Sequence, residues 1–261
     1  MRRSVLLLAA LATAVLLASG AALAVTPTGT PDSGAQGKGP GAALDGALRS
    51  LVARHGGPPG VIAIVQRGQH REVHTFGVGN IETGRPMRPG DHIRIASAAK
   101  AFSGGVALSL VSKGELSLDD TIGKRLPELP DAWSEVTLRQ LLNHTSGIPD
   151  FSQDEDYREA VFASFKKAPP PEKLLTYFYD DNLLFEPGSK YHYSNTDNAV
   201  VGLMVERATG RTYESQLREH DYRPLDLKKT TLPAGPNLRA PYIHGHRILA
   251  KPQIEEDSNI M

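Results

Sequence analysis

The chain has 261 residues, 40% hydrophobic and 22% charged, which is ordinary for a globular protein and enough for one large domain. Its 29 Lys and Arg balance 29 Asp and Glu, so it lacks the basic surplus that nucleic acid or an anionic membrane surface demands. There is no cysteine, which excludes disulfides, thiolate metal sites, a cysteine nucleophile and lipid attachment through an N-terminal cysteine.

Arg2 and Arg3 precede an apolar stretch over 5–18, and Ala22-Leu23-Ala24 follows as a small-x-small cleavage pattern. The apolar core is shorter than the roughly 20 residues that a membrane span needs. Residues 1–24 therefore read as a cleaved signal peptide, with an uncleaved anchor as the rival reading. Cleavage would give a secreted chain with no stable membrane anchor. Residues 25–42 are rich in Gly, Pro, Ser and Thr without apolar periodicity, which predicts a flexible linker. One domain is expected over 43–261.

The apolar run at 61–65 predicts a buried strand, Arg67-Gly68-Gln69 a turn, and 72–77 the second strand of a hairpin. Ile93-Arg94-Ile95 reads as strand-like and leads into a helix over 97–112, stopped by Gly114. Further helices are predicted near 137–143, 154–167, 171–179, 195–209 and 212–222. Two strands ahead of a long helical middle indicate an α+β plan.

The candidate chemistry begins at Ser97-Ala98-Ala99-Lys100. A serine alcohol needs a base before it can attack, and residues i and i+3 share one helix face, so Lys100 can reach Ser97. Burial or a nearby cation would lower the lysine's proton affinity enough for its neutral amine to act. A second copy of the pattern, Ser164-Phe165-Lys166-Lys167, runs into Pro169-Pro170-Pro171 without an apolar scaffold and reads as a chance match. Farther on stands Tyr193-Ser194-Asn195. A phenol near the Ser–Lys pair could relay a proton, and the Asn195 amide could hold the lysine or a substrate carbonyl.

Taken in this order, the two elements resemble those of the serine penicillin-recognising hydrolases: D-alanyl-D-alanine carboxypeptidases, class C β-lactamases and related esterases. The likeness extends through Leu116-Ser117-Leu118-Asp119-Asp120, and through Thr137-Leu138-Arg139-Gln140-Leu141-Leu142-Asn143-His144-Thr145-Ser146-Gly147. It continues at Phe185-Glu186-Pro187-Gly188, Arg223-Pro224-Leu225-Asp226-Leu227 and Thr230-Thr231-Leu232-Pro233. The resemblance implies a β-lactamase/DD-peptidase-like fold with a helical region and an antiparallel sheet. It implies Ser97 as nucleophile, Lys100 as base, Tyr193 in proton transfer and Asn195 in substrate binding. The implied activity is a D-Ala–D-Ala carboxypeptidase acting on peptidoglycan stem peptides through an acyl-enzyme, with β-lactams as mimics of the dipeptide. A class C-like β-lactamase or an esterase is the enzymatic alternative. No cofactor and no metal are expected.

One departure from the family stands out. Its third motif, K-T-G or H-x-G, falls roughly a hundred or more residues after Y-x-N, whereas about 70 residues follow Tyr193 here. His55-Gly56-Gly57 matches H-x-G in letters but precedes the first strand. An oxyanion hole of this type takes one donor from the third-motif strand, and losing such a donor costs on the order of 10²–10³ in turnover. The expected sheet is accordingly incomplete, with the hairpin short of partners. Three readings stay open: a truncated product, a short relative completed by another chain, and an inactive binder of wall peptides or penicillin. His244 and His246 read as a surface loop rather than a metal site, and His144 as a turn residue rather than a base.

Overall fold

The computed structural model describes residues 40–163, 171–177, 182–233, 235, 237–248 and 254–256. The first helix, α1 (Pro40–Ala53), begins inside the stretch expected to be linker. It is followed by β1 (Gly60–Arg67) and β2 (His70–Asn80), which pair antiparallel around the Gly68-Gln69 turn, with Arg67 opposite His70 and Gly60 opposite Gly77. The short β3 (Arg85–Pro86) adds to the far side of β2, giving the order β1-β2-β3. A separate pair, β4 (His246–Ile248) and β5 (Ile254–Glu256), also runs antiparallel.

The expected hairpin therefore forms and extends beyond its predicted ends, but β1 is half-buried rather than buried. Ile64, paired with Val73, is 56% exposed. Antiparallel partners point to the same face of a sheet. The face carrying Ala63, His74 and Phe76 receives α1: His74 Nδ1 bonds Asp45 at 2.7 Å, and the Arg49 guanidinium lies over the Phe76 ring at 4.9 Å. The Ile64 face receives no such cover from α1. The strand expected over 93–95 does not form. Among the described residues its only ladder contact is the neighbouring His92–Tyr242 bridge, and Ile93 and Ile95 are exposed. A strand is stable only with a neighbour to share its hydrogen bonds.

The helical half holds the core. A 3-10 turn, Ala96–Ala98, precedes α2 (Ala99–Ser112); then come α3 (Ile122–Arg125), a 3-10 turn at Asp131–Trp133, and α4 (Leu138–Leu142). After the turn Phe151–Gln153 follow α5 (Glu155–Ala163), α6 (Pro171–Thr176), α7 (Asn195–Thr209) and α8 (Tyr213–Leu217), the last continuing into a π turn, Arg218–Tyr222. The predicted helix at 195–209 is reproduced in full. That at 154–167 is found as α5 alone, because 164–170 lie outside the described residues.

α7 is the axis of this half, packed by α2, α3, α4 and α8. Val200, Met204 and Val205 on α7, Val106 and Leu110 on α2, and Leu138 on α4 are fully buried with Trp133 and Val136. Each large apolar side chain so enclosed contributes about 1.5–3 kcal/mol. Threonines set the short helices. Thr121 and Thr212 accept N–H bonds at the starts of α3 and α8, and Thr137 forms a reciprocal capping box with Gln140 at α4. Asp120, buried between α2 and α3, takes Lys124 at 2.5 Å and Arg125 at 2.5 Å.

Candidate active site

Ser97 lies at the middle of the 3-10 turn that opens α2, not within the helix proper. Ala96 before it has φ +46, a left-handed conformation costly for a non-glycine residue. This bend turns the chain so that the Ser97 hydroxyl and, one helical step on, Lys100 face the same way. The N-terminus of α2 beside them favours negative charge developing on a bound carbonyl.

Tyr193 and Asn195 arrive from the other direction. Ser194 between them is extended, with φ −138 and ψ 128, and α7 begins at Asn195. Alternate side chains of an extended segment point to the same side, which is the physical content of the Y-x-N spacing. Ser194 turns inward instead, fully buried, with its hydroxyl donating to the Pro149 carbonyl at 3.3 Å.

The four side chains singled out by sequence meet. Ser97 Oγ and the Tyr193 hydroxyl are 2.8 Å apart, and Lys100 Nζ lies 3.5 Å from Ser97 Oγ. Lys100 Nζ also donates to Asn195 Oδ1 at 2.9 Å, and the Tyr193 hydroxyl donates to the same oxygen at 3.3 Å. Nζ stands 4.9 Å from the Tyr193 ring centroid, within cation–π range. A hydroxyl with an amine and a phenol in reach, ahead of a helix N-terminus, can be deprotonated, acylated and released by one relay of protons.

Around this cluster stand residues that the sequence reading did not place at the site. Asp150 accepts from Asn195 Nδ2 at 3.2 and 3.0 Å, and Ser152 Oγ accepts from it at 3.2 Å. His144 adopts φ +56, confirming it as a turn residue, and its ring packs against Tyr193 with centroids 4.6 Å apart. Its Nδ1 lies 3.0 Å from the carboxylate of Asp197, which also accepts from Ser146 Oγ at 2.5 Å. Burial pushes the Asp197 carboxyl above its ordinary value, partly offset by the bonds from His144 and Ser146. The 144–150 loop is tied to the segment before Tyr193 by three backbone bonds: His192 to His144, Gly188 to Thr145 and Leu184 to Gly147, at 2.7–2.8 Å.

The second Ser-x-x-Lys, 164–167, lies outside the described residues. His55-Gly56-Gly57 is the turn after α1. His244 and His246 do not form the exposed loop expected. Both are half-buried, His244 stacks on Tyr242 at 4.7 Å, and burial lowers the proton affinity of both rings. Among the described residues no group of three or more His, Asp or Glu is placed to hold a metal ion.

The sequence profile of the Beta-lactamase family matches residues 44–259. The chain belongs to this family. It is a family of penicillin-binding-protein-like serine hydrolases, and its fold is the one observed here, helices beside an antiparallel sheet that stays open. The chain is 30% identical to a D-aminopeptidase of Brucella anthropi over 197 residues, 73% of this chain and 36% of that protein. It is 28% identical to a penicillin-binding protein of Bacillus subtilis over 176 residues, 66% of this chain and 37% of that one. It thus spans little more than a third of the length of these relatives. Among solved structures, a D-stereospecific amidohydrolase from a Streptomyces species superposes with a TM-score of 0.73 at 28% identity, covering 84% of this chain and 65% of that one.

Proposed function

We propose that the protein is a serine acyl-transfer hydrolase that cleaves amide bonds following a D-configured residue, with the D-Ala–D-Ala end of cell-wall stem peptides as its substrate. The observation that carries this reading is the convergence of Ser97, Lys100, Tyr193 and Asn195 from two distant parts of the chain. Once it has given up a proton, the Lys100 amine can give one N–H to Asn195 while its lone pair faces Ser97. It takes the Ser97 proton as Oγ bonds the substrate carbonyl carbon. Tyr193, 2.8 Å from Oγ, passes a proton to the leaving nitrogen as the C–N bond breaks. Water then reverses the relay, releasing the acid and restoring the serine.

The D-configured acyl side is supported by the names of two relatives, a D-aminopeptidase and a D-stereospecific amidohydrolase. The cell-wall form of that chemistry is supported by the likeness to a penicillin-binding protein and by the signal-like residues 1–24, which would place the enzyme outside the cytoplasm. No helix among the described residues is long and apolar enough to cross a membrane.

The test is a matched substrate set: D-Ala–D-Ala peptides, D-amino acid amides, and their L counterparts. Release of D-Ala or ammonia from the D forms only, lost in S97A, is the expected result. Cleavage of L substrates at comparable rates would overturn the stereochemical assignment. Penicillin acylation without turnover of any amide would favour a binding protein instead.

A further inference from the structure

Asn195 is held at both ends by partners of opposite character. Its Oδ1 faces donors, Lys100 Nζ at 2.9 Å and the Tyr193 hydroxyl at 3.3 Å. Its Nδ2 faces acceptors, both oxygens of Asp150 at 3.2 and 3.0 Å and Ser152 Oγ at 3.2 Å. A primary amide is almost symmetric in shape, so only such partners decide which end points where. An ionised carboxylate accepts and never donates. Turning the Asn195 amide over would set its oxygen against two carboxylate oxygens and its N–H groups against the lysine amine.

We infer that Asp150 is a positioning residue for acylation: its carboxylate locks the Asn195 amide with the oxygen toward Lys100 and Tyr193. The inference rests on the serine-hydrolase reading above.

Asp150 is itself well fixed. The residue is 6% exposed, and its Oδ1 also accepts the Ser152 N–H at 3.0 Å, capping the Phe151–Gln153 turn. Neighbouring groups tie the same loop to α7. Thr196 Oγ1 donates to the Pro149 carbonyl at 2.6 Å and accepts the Phe151 N–H at 3.1 Å. The carboxylate therefore reaches Asn195 from a framed position, across 45 residues of sequence.

Its charge also acts through the amide. A carboxylate bound to the N–H end polarises the carbonyl end, which makes Oδ1 a stronger acceptor for Lys100. The titratable groups around Lys100 are Tyr193, then His144 packed on Tyr193, with Asp150 behind Asn195 and Asp197 behind His144. Of these, Tyr193 bonds the oxygen end of the amide that holds the lysine, and Asp150 bonds its N–H end.

D150N is the decisive change. Asparagine is as good a turn cap as aspartate, yet it offers Asn195 one donor and one acceptor, so both amide orientations become acceptable. The readout is the rate constant for acylation of Ser97 by a chromogenic penicillin, resolved from the dissociation constant of the penicillin. D150N is expected to acylate at least about tenfold more slowly, since small misplacement of a catalytic group costs one to two orders of magnitude. The loss should fall on that rate constant and leave the dissociation constant near the wild-type value, because Asp150 acts through the amide that holds Lys100 and not on the bound penicillin. A purely structural role would disturb the rate constant and the dissociation constant together. In an N195A background the D150N change should add nothing, because Asp150 acts through Asn195. S152A, which removes one acceptor and leaves the carboxylate in place, should slow acylation less than D150N does.

A loss carried by the dissociation constant, or a D150N effect that persists in N195A, overturns the inference. So does D150N acylating within about twofold of wild type while S97A is unlabelled, and in that case the serine-hydrolase reading survives. If S97A is labelled as wild type is, that reading fails instead. Should D150N not fold, D150S keeps a capping hydroxyl without the charge and must show the same loss in the rate constant with the dissociation constant kept.

Discussion

Gly147 is the position where the site's framework is most sensitive to a single methyl group. It lies between His144 and Asp150, with φ +80. A Cβ added there would sit 2.5 Å from the Phe185 carbonyl oxygen, and Gly147's own carbonyl accepts the Leu184 N–H at 2.8 Å. G147A therefore carries two costs. Holding alanine in the left-handed region costs about 1–2 kcal/mol. Pushing Phe185 away costs about 1–3 kcal/mol more, as overpacking typically does. Gly210, which caps α7, separates the two, because it has φ +63 but nothing within 4 Å of an added Cβ. Urea unfolding followed by circular dichroism should show G210A losing about 1–2 kcal/mol and G147A about 2–5 kcal/mol. In melting temperature each kcal/mol is worth roughly 2–4 °C for a domain of this size. G147A should also slow penicillin acylation, since its loop bears Asp150, whereas G210A should not. Equal losses for the two variants would refute the reasoning, because the Phe185 contact would then carry no cost.

Other outcomes follow from the same structure. Y193F removes the hydroxyl 2.8 Å from Ser97 Oγ and should reduce amide turnover about 10²–10⁴-fold while CD spectra stay unchanged. T137A breaks the capping box at α4 and should cost about 1 kcal/mol in urea unfolding. Asp120 and Asp197 should give opposite pH signatures. Burial pushes Asp120 up, but the bonds from Lys124, the Ser117 N–H and Arg125 outweigh it and leave the carboxyl below its ordinary value. Its stabilisation is present above the unfolded value near 3.8 and is lost as pH falls through the folded value, so the gap between wild type and D120N should narrow toward acid. Asp197 is raised, chiefly by burial, so its contribution is complete below about 3.8 and declines as pH rises through the folded value. The wild-type advantage over D197N should accordingly shrink with rising pH, read from urea midpoints between pH 3 and 8.

Much of this was readable in the sequence because it is local. The hairpin announces itself by a Gly-centred turn between apolar runs, and α7 by its apolar face and by Gly210 at its end. Ser97, Lys100, Tyr193 and Asn195 were readable because i, i+3 on a turn and i, i+2 on an extended segment fix which side chains share a direction. What escaped was long-range or conditional on neighbours. Asp150 looks like an ordinary turn cap within its own phrase, and only folding brings Asn195 to it. His144 and Asp197 likewise meet across the fold. Residues 93–95 have strand-forming side chains, but strand formation is decided by a partner, and the described residues offer only the His92–Tyr242 bridge. α1 starts with Pro40-Gly41, and those residues obscured a helix that α1's packing on the hairpin stabilises.

The account turns on Ser97 being the nucleophile that Lys100 and Tyr193 activate. The most direct measurement is intact-mass spectrometry of the folded protein after exposure to a penicillin, followed by peptide mapping. A single adduct on the peptide containing Ser97, absent from S97A and slowed in K100A and Y193F, is the predicted result. An adduct on another serine, or folded protein with no adduct at all, would contradict it.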